Sequence, residues 1–337
     1  MPVARDREKI AVITGASAGI GRACAREFAR HGCKVALIAR GREGLQAAAQ
    51  EIEALGGSAL IVPADVADGE QVERAAVHVV EQFGRIDIWI NNAFAGMFSL
   101  FTDMTPEEFR RVVDVTFMGQ VNGTRAALRH MLARDAGTIV LVGSALAYRG
   151  IPLQSAYCAA KHALQGFQDS VRVELLHRKS RVRLVMVQLP GVNTPQFDWV
   201  RARIPGKPRP VGAVYQPEVA ARAIRHAAHS RRKELIVGAP AWQAILADKI
   251  ASPLLDRYLA ATAVAGQQGS DPLPKGRPDN LFDPVPGNHG AHGRFGAKAR
   301  RRSLLLWGSI HRRPLAATAM LAAGASLLIS AQRRRKS

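Results

Sequence analysis

The sequence predicts an α/β protein in which a doubly wound parallel sheet of about seven strands is followed by a C-terminal extension. Short apolar runs alternate with longer amphipathic stretches. That alternation produces parallel strands joined by right-handed helical crossovers. A glycine-rich turn also follows the first apolar run and opens the first amphipathic stretch. Strand, turn and helix in this order are typical of sheets that bind ligands at their carboxyl edge.

The composition is that of a folded globular protein. The chain has 337 residues, of which 47% are hydrophobic and 22% are charged, which excludes a mostly disordered protein. The three cysteines are too few and too scattered for a disulfide framework or a thiolate metal site. They predict a reducing compartment, and the N-terminal segment carries no apolar signal region. We therefore expect a cytoplasmic protein.

Seven apolar runs are predicted to be buried strands, because they are rich in Val and Ile and are bounded by glycine or charge. They are Ile10–Thr14, Lys34–Ala39, Ala59–Pro63, Ile86–Ile90, Thr138–Val142, Val182–Leu189 and Glu234–Val237. Helical periodicity predicts helices between and after them. These are Gly21–His31, Arg42–Leu55, Gln71–Phe83, Pro106–Ala133, Ser155–His177, Pro217–His229 and Trp242–Ala265.

Charge separates a body from a tail. Net charge is +20, and residues 201–337 carry 24 basic against 7 acidic residues. We predict a folded domain over residues 1–262, then a basic Gly/Pro-rich tail over 263–302. That tail has few large apolar residues, so we expect it to lie on the surface or to be partly disordered. An apolar segment flanked by arginines follows at 303–337.

The glycine-rich turn predicts a dinucleotide-binding loop. Gly15 allows a tight turn, Gly19 lets the backbone approach a pyrophosphate, and Gly21 permits close packing of helix on strand. The helix N-terminus would then hold the phosphate charge. The predicted contacts come from the whole turn: Gly15, Ser17, Ala18, Gly19, Ile20 and Gly21.

The end of the second strand predicts NADP(H) in preference to NAD(H). A cofactor without a 2′-phosphate is usually met there by a carboxylate, and the segment Ile38–Arg42 contains none. Arg40 instead offers charge-assisted donors to a phosphate. The alternative is a solvated surface arginine at a helix start.

Three side chains predict acid–base chemistry. Tyr157 and Lys161 are four residues apart in a predicted helix, so they share one face. A tyrosine has a pKa of about 10, and a nearby ammonium group favours its phenolate. Ser144, at the end of a predicted strand, can hydrogen-bond a substrate oxygen. The alternative is a helix with a packed tyrosine and a solvated lysine.

Together these motifs resemble the short-chain dehydrogenase/reductase family over about residues 8–240. The matching stretches are TGASAGIG (14–21), AD (64–65), NNA (91–93), Ser144, YCAAK (157–161) and PGVNT (190–194). The resemblance implies a seven-stranded Rossmann sheet and hydride transfer between NAD(P) and an alcohol or carbonyl. It implies catalytic roles for Ser144, Tyr157 and Lys161. It also implies cofactor contacts at Asp65, Val66, Asn91, Ala93, Tyr157, Lys161, Pro190, Gly191 and Thr194.

Two positions depart from the family pattern. Phe94 follows Ala93 where the family has glycine, and Thr116 stands where it usually has an asparagine that holds a relay water. A threonine can also bond a water or a carbonyl, so we assign Thr116 to the catalytic set. These departures support an alternative function, an NADP(H)-binding sensor or scaffold with little turnover.

The resemblance implies that the segment after the sixth strand forms a lid over the substrate. The lid is Pro195–Pro205, followed by a proline-rich stretch to Pro210. Its Phe, Trp, Val and Ile side chains favour a lipophilic carbonyl or alcohol over a sugar. Arg201 and Arg203 could attract an anionic group or merely seal the lid. Four further apolar residues are candidates for the same pocket: Phe94, Met97, Phe98 and Leu100. The substrate itself and the direction of reaction are not encoded in any motif.

Residues 314–331 carry no charge and as a helix would span about 27 Å, near the thickness of a bilayer core. The flanking arginines suit anionic lipid. The segment is consistent with a membrane anchor, an interfacial helix or a soluble tail.

The basic runs lack a nucleic-acid recognition motif, so we do not expect nucleic-acid binding. His289, His292 and His311 lack ligand partners in sequence, so we do not expect metal binding. The resemblance implies a homodimer or homotetramer.

Overall fold

The computed structural model describes residues 6–312. The predicted apolar segment at 314–331 lies outside the described residues. No helix of the described part is long and apolar enough to cross a bilayer.

A seven-stranded parallel sheet forms the centre of the molecule, as the sequence predicts, in the order β10-β7-β6-β4-β1-β2-β3. Its strands are β1 (Ile10–Thr14), β2 (Lys34–Ala39), β3 (Ser58–Pro63), β4 (Ile88–Asn91), β6 (Thr138–Ser144), β7 (Arg183–Leu189) and β10 (Glu234–Ile236). Two small two-stranded sheets lie beside it. They pair β5 (Met97–Phe98) with β8 (Arg201–Ala202), and β9 (Gly206–Pro208) with β11 (Gln268–Pro272).

Within residues 6–312, ten α-helices join and follow these strands. They are α1 (Gly19–Arg30), α2 (Arg42–Ala54), α3 (Gly69–Phe83), α4 (Pro106–Val113), α5 (Gly119–Leu132), α6 (Ser155–His177), α7 (Gln196–Trp199), α8 (Pro217–Ala228), α9 (Ala239–Gly266) and α10 (Leu304–Ile310). Helices α1, α2 and α8 pack on one face of the sheet. Helices α3, α5 and α6 pack on the other, so both faces of the strands are buried.

The helix predicted over Pro106–Ala133 is interrupted. Helix α4 ends at Val113, a single π-helical turn covers Asp114–Met118, and α5 continues from Gly119. Thr116 lies in that turn, and its hydroxyl forms hydrogen bonds with the backbone of Ala95. The regular α-helical hydrogen-bond pattern is interrupted at this turn.

The extension after α9 does not leave the body. Strand β11 pairs with β9, and the chain then runs back over the carboxyl edge of the sheet before α10 begins. Leu281 is fully buried within it. Most of the extension lies on the surface, as one of the two expectations had it. Its return path over the sheet edge was not predicted, because the contacts that hold it come from isolated side chains and backbone groups and leave no apolar periodicity in the sequence.

Candidate active site

A cavity of about 490 Å³ lies at the carboxyl edge of the sheet. The glycine-rich turn lines one end, and Ser144, Tyr157 and Lys161 line the other. The predicted cofactor residues that line it are Gly15, Ser17, Ala18, Gly19, Ile20, Arg40, Asp65, Val66, Ala93, Tyr157, Lys161, Pro190, Gly191 and Thr194. Gly21 and Asn91 do not line it.

The glycine turn leaves no room for larger side chains. Gly15 has φ +68°, and a Cβ there would lie 2.9 Å from the Cα of Ala93. Gly21 supports the turn from beneath, because a Cβ on it would approach the Gly15 carbonyl oxygen to 2.1 Å. The turn is tied to the end of β4 by the Asn92 amide, which donates to the Thr14 carbonyl at 2.9 Å.

The side chain next to the cavity at the end of β4 is Asn92, not Asn91. Asn91 is buried, where it accepts from the Trp89 indole at 2.9 Å and donates to the Thr124 hydroxyl at 3.1 Å. Side chains alternate along a strand, so only one of two consecutive asparagines can face the cavity.

Arg40 and Asp65 mark the far end of the cavity, at the ends of β2 and β3. The Arg40 guanidinium donates to the backbone carbonyls of Asn280, at 2.6 Å, and of Phe282. Asp65 accepts from Arg111 at 2.6 Å. The arginine predicted to meet a phosphate therefore lies in the cavity wall and also contacts the C-terminal extension.

Tyr157 and Lys161 lie together on α6, facing the end of β6. Lys161 is 2% exposed, and its Nζ is 5.6 Å from the centroid of the Tyr157 ring. Burial lowers the pKa of Lys161 to about 7. Burial raises the pKa of Tyr157 to about 12, although a hydrogen bond with Ser144 acts in the lowering direction. The three predicted side chains are thus brought together.

Thr116 does not line the cavity. Its hydroxyl donates to the Ala95 carbonyl at 2.8 Å and accepts from the Ala95 amide at 3.0 Å. Its single O–H donor is therefore occupied by the backbone of the loop after β4.

Gln120, one turn further on, is a residue that the sequence did not single out. The Val142 carbonyl accepts from Lys161 Nζ at 2.6 Å and from Gln120 Nε2 at 3.2 Å. The Gln120 Oε1 is buried and has no hydrogen-bond partner among the described residues. Only the contact through a shared carbonyl, which is invisible in sequence, identifies it as a neighbour of Lys161.

The lid is sealed by its own arginines. Glu108 accepts from Arg201 at 2.9 Å and from Arg203 at 2.6 Å, and Arg201 also donates to Asp279 at 2.9 Å. These pairs favour the sealing alternative over the anion-binding one.

Apolar side chains from the loop after β4 and from the lid form the substrate end. Phe94 lies edge-on to Tyr157, with ring centroids 6.0 Å apart. Of the other candidates, Phe98 lines the cavity, whereas Met97 is in the core and Leu100 is exposed. The remaining apolar lining includes Leu146, Ile151, Phe197, Trp199, Val200, Leu255 and Leu259.

The C-terminal histidines have separate contacts. The His289 ring lies edge-on to Trp199, with ring centroids 4.3 Å apart, and His292 pairs with Glu218 at 2.9 Å. His289 is half-buried, whereas His292 lies in a loop with its side chain 49% exposed. Within residues 6–312, no cluster of three or more His, Cys, Asp or Glu side chains could hold a metal ion.

The residues present fit a dinucleotide. The cavity runs without interruption from the α1 N-terminus to Tyr157, and its volume lies in the range of small-molecule sites, roughly 300–1,000 Å³. A guanidinium lies at the β2 end and helix N–H groups lie at the glycine turn, which are the donors that phosphates require.

Residues 9–204 match the short chain dehydrogenase family. This chain belongs to that family. The enzyme is 32% identical to the uncharacterized oxidoreductase YxnA of Bacillus subtilis over 318 residues, which cover 94% of this chain and 88% of that protein. It is 37% identical over 198 residues to the 11-beta-hydroxysteroid dehydrogenase-like 2 of Arabidopsis thaliana, covering 56% of this chain and 62% of the relative.

Solved structures agree with the fold. A metagenomic short-chain oxidoreductase in complex with NADP superposes with a TM-score of 0.58 at 30% identity, covering 68% of this chain and 97% of the other. An alcohol dehydrogenase from Thermococcus sibiricus, complexed with 5-hydroxy-NADP, gives a TM-score of 0.59 at 29% identity, covering 68% and 95%. The present enzyme is an NAD(P)-dependent dehydrogenase/reductase of the same family.

Proposed function

We propose that this dehydrogenase uses NADP(H) to interconvert a lipophilic carbonyl and its alcohol, with Tyr157 as the acid–base. One observation carries the proposal. Ser144, Tyr157 and Lys161 converge on a single wall of a cavity whose opposite end is the glycine-rich turn. A dinucleotide held at the turn would reach the same space that these three side chains face.

The residues divide the chemistry between them. A bound nicotinamide would supply or accept the hydride. In the direction of reduction, the Tyr157 hydroxyl gives its proton to the oxygen of the substrate carbonyl, and in oxidation its phenolate removes that proton. The Ser144 hydroxyl donates to the same oxygen and fixes its position as negative charge develops.

Lys161 makes the tyrosine competent. An isolated buried phenol resists ionisation, which is why burial raises the pKa of Tyr157 to about 12. An ammonium at Lys161 offsets this by stabilising the phenolate, and the phenolate in turn stabilises the ammonium. The two groups therefore titrate as a pair, and the pair works while Lys161 carries its proton.

Arg40 supports NADP(H) over NAD(H). Its guanidinium lies in the cavity wall at the end of β2, and no carboxylate lies within the segment Ile38–Arg42. A 2′-phosphate there would gain charge-assisted hydrogen bonds from Arg40, whereas a ribose without the phosphate would find no carboxylate at the end of β2 to accept from its hydroxyls.

The cavity lining supports a lipophilic substrate. Beside Tyr157 the wall is built from Phe94, Phe98, Phe197 and Val200, and nearby arginines are already paired. Arg149, which also lines the cavity, pairs with Asp248 and Asp256. A polyhydroxylated substrate would lose its water and gain few hydrogen-bond partners along that wall.

The experiment compares Tyr157→Phe with Tyr148→Phe in the purified full chain. A panel of aliphatic, aromatic and steroidal ketones is screened for NADPH oxidation. We expect the Tyr157 variant to lose about 10²–10⁴-fold in kcat with unchanged NADPH affinity, since general acid–base catalysis contributes that much. Tyr148, whose hydroxyl contacts Glu234 outside the cavity, is the matched control. An active Tyr157→Phe enzyme would contradict the proposed role.

We further propose that the domain over residues 1–262 associates with an anionic membrane surface. Helix α9 is kinked at Ala251, and both of its halves expose apolar side chains: Trp242, Leu246 and Ile250 before the kink, and Leu254 and Tyr258 after it. Two cations on the same helix, Lys249 and Arg257, are exposed and suit acidic headgroups. The uncharged segment 314–331 also favours association with a membrane.

We expect the protein to co-sediment with vesicles that contain phosphatidylglycerol, but not with vesicles of phosphatidylcholine alone. Recovery of the protein in the supernatant with both kinds of vesicle would contradict the proposed association.

A homodimer or homotetramer packed through α4–α5 and α6 is also proposed. Val173 and Leu176 on α6 are each 63% exposed, and a second subunit would cover them. Light scattering on the full chain measures the mass, and Val173→Glu with Leu176→Glu should lower it. A monomeric wild-type chain would overturn this assembly.

A further inference from the structure

We propose that residues 279–295, called the strap below, are an additional element of the cofactor site: a cover that closes the outer side of the cavity and must open for the dinucleotide to enter or leave. The inference rests on the proposed use of NADP(H). Its support is a set of contacts that the strap makes at three successive points along the cavity.

At the β2–β3 end, the strap is held by two arginines. Arg40 donates to the carbonyls of Asn280, at 2.6 Å, and of Phe282. Arg111, which pairs with Asp65, also donates to the Leu281 carbonyl at 3.0 Å. The Leu281 side chain is fully buried, so this end of the strap is anchored by both polar and apolar contacts.

At the glycine turn, the strap meets the N-terminus of α1. The Gly19 amide donates to the Gly290 carbonyl at 3.0 Å. Arg22, a buried residue of α1, donates to the Asn288 side chain at 2.7 Å. The strap therefore crosses directly over the helix terminus that would hold the phosphates.

At the substrate end, the strap binds the lid. The His289 ring lies edge-on to Trp199 of the lid, and Arg294 pairs with Asp198 of the lid. The Phe295 amide donates to the Oδ1 of Asn193, just before the lid, at 2.9 Å. Strap and lid are thus fastened to one another, and neither can swing open without releasing the other.

The strap covers the cavity and does not fill it. Asn280, Pro284, Val285, Gly287 and His289 line the same cavity as the glycine turn and Tyr157. Arg40 has five N–H donors, and the strap carbonyls take two of its nitrogens, so donors remain for a phosphate. The Gly290 carbonyl occupies only one amide of the α1 terminus, which has several. The donors that a phosphate requires therefore remain available while the strap is closed.

Part of this chain has no counterpart in a solved relative. The NADP-bound metagenomic oxidoreductase is matched over 97% of its own length yet covers 68% of this chain, so about a third of this chain has no counterpart in it. The likeness to YxnA spans 94% of this chain and so includes most of the C-terminal extension. We expect the strap to be shared with that relative.

A reversible lock tests the proposal. A Cβ built on Gly41 would lie 3.5 Å from the Cβ of Pro284, within the range of about 3.5–4.5 Å that a disulfide spans. Gly41 has φ −80°, which any residue adopts. The full chain carrying Gly41→Cys and Pro284→Cys is compared in its oxidised and reduced forms. The native thiols Cys24, Cys33 and Cys158 are buried, and burial raises their pKa, so they should not interfere.

Stopped-flow fluorescence measures NADPH uptake and release in each form. We expect the oxidised form to take up NADPH, and to release pre-bound NADPH, at least about tenfold more slowly than the reduced form, because closure of a lid gates exchange. Preloaded and oxidised protein should retain NADPH through gel filtration. Single cysteine variants under the same oxidant should show no change.

Equal rates of NADPH uptake and release in the oxidised and reduced forms would contradict the proposal that the strap is a cover. Failure of the oxidised form to bind NADPH at equilibrium, with preloaded protein unable to form the disulfide, would also overturn it, since the strap would then be a plug. Wild-type protein measured alongside separates the two proposals: if it binds neither NADPH nor NADH, the proposed function fails and the cover fails with it.

Discussion

The sheet domain and the strap are stabilised in different ways. In the domain, continuous apolar runs such as Ile10–Thr14 are buried on both faces by helices whose apolar side chains recur periodically. In the strap, a single large apolar side chain, Leu281, is fully buried. The other contacts are made one at a time: hydrogen bonds of arginines and amides, an ion pair and aromatic contacts at the surface. A domain of the first kind unfolds cooperatively, whereas a segment of the second kind can open locally.

Replacing one buried leucine in each region tests this contrast and should give the largest effects. Leu45 on α2 and Leu281 in the strap are both 0% exposed. We expect Leu45→Ala to lower the free energy of unfolding of the whole domain by about 2–5 kcal/mol, the usual cost of such a cavity. Leu281→Ala should leave the midpoint of domain unfolding nearly unchanged and instead speed tryptic cleavage at Arg277 and Arg294.

Urea unfolding followed by circular dichroism, together with timed proteolysis, measures the two effects. A large loss of global stability in Leu281→Ala would show that the strap is part of the cooperative domain. In that case the strap could not open without unfolding the enzyme, and the contrast between the two regions would disappear.

Arg40 belongs to both regions, since it ends β2 and holds the strap, and its replacement should have the next largest effect. We expect Arg40→Asp to reduce the ratio of NADPH to NADH affinity by about 10–100-fold, because charge-assisted hydrogen bonds contribute about 1.5–3 kcal/mol and a carboxylate would also repel the phosphate. Fluorescence titration with each cofactor measures the ratio.

Arg42→Asp is the matched control for this substitution. It places the same charge two residues away, at an exposed position that does not line the cavity, and should barely change the ratio. An unchanged ratio in Arg40→Asp would assign this arginine to the strap alone and leave the cofactor preference without a determinant.

How far the sequence predicts this molecule follows from the same contrast. All seven strands of the central sheet and helices such as Ser155–His177 were predicted, because burial on both faces or on one stripe imposes a period. The π turn at Asp114–Met118 and the strap were not predicted. Both depend on individual hydrogen bonds to the backbone of residues distant in sequence, such as Thr116 to Ala95 and Arg40 to Asn280. Such hydrogen bonds produce no periodic pattern in the sequence.

The candidate site divides in the same manner. The residues that bring Tyr157, Lys161 and the glycine turn together lie at strand ends and on helix faces, where the fold class alone determines their positions. The sequence could not show which of Asn91 and Asn92 faces the cavity, since one residue of strand register decides it. Nor could it show that Gln120 shares a carbonyl with Lys161.

Gln120 provides the smallest and most selective test, which concerns the domain alone. Burial lowers the pKa of Lys161 to about 7, and an ammonium is needed to stabilise the phenolate of Tyr157. Activity should therefore fall as pH rises through that value. Gln120 and Lys161 donate to the same Val142 carbonyl, so Gln120→Glu would place a carboxylate beside the ammonium. An opposite charge favours the protonated form and raises its pKa.

We expect the alkaline limb of kcat/KM in Gln120→Glu to move to higher pH by up to about one unit, because kcat/KM reports the free enzyme. Gln120→Met has a similar shape without the charge and should leave the limb in place, even if it lowers stability. If both variants move the limb equally, packing and not charge is responsible, and Lys161 is not the group whose titration limits the enzyme. If only the glutamate variant moves it, the ammonium at Lys161 is the working form in the domain, independently of whether the strap is open or closed.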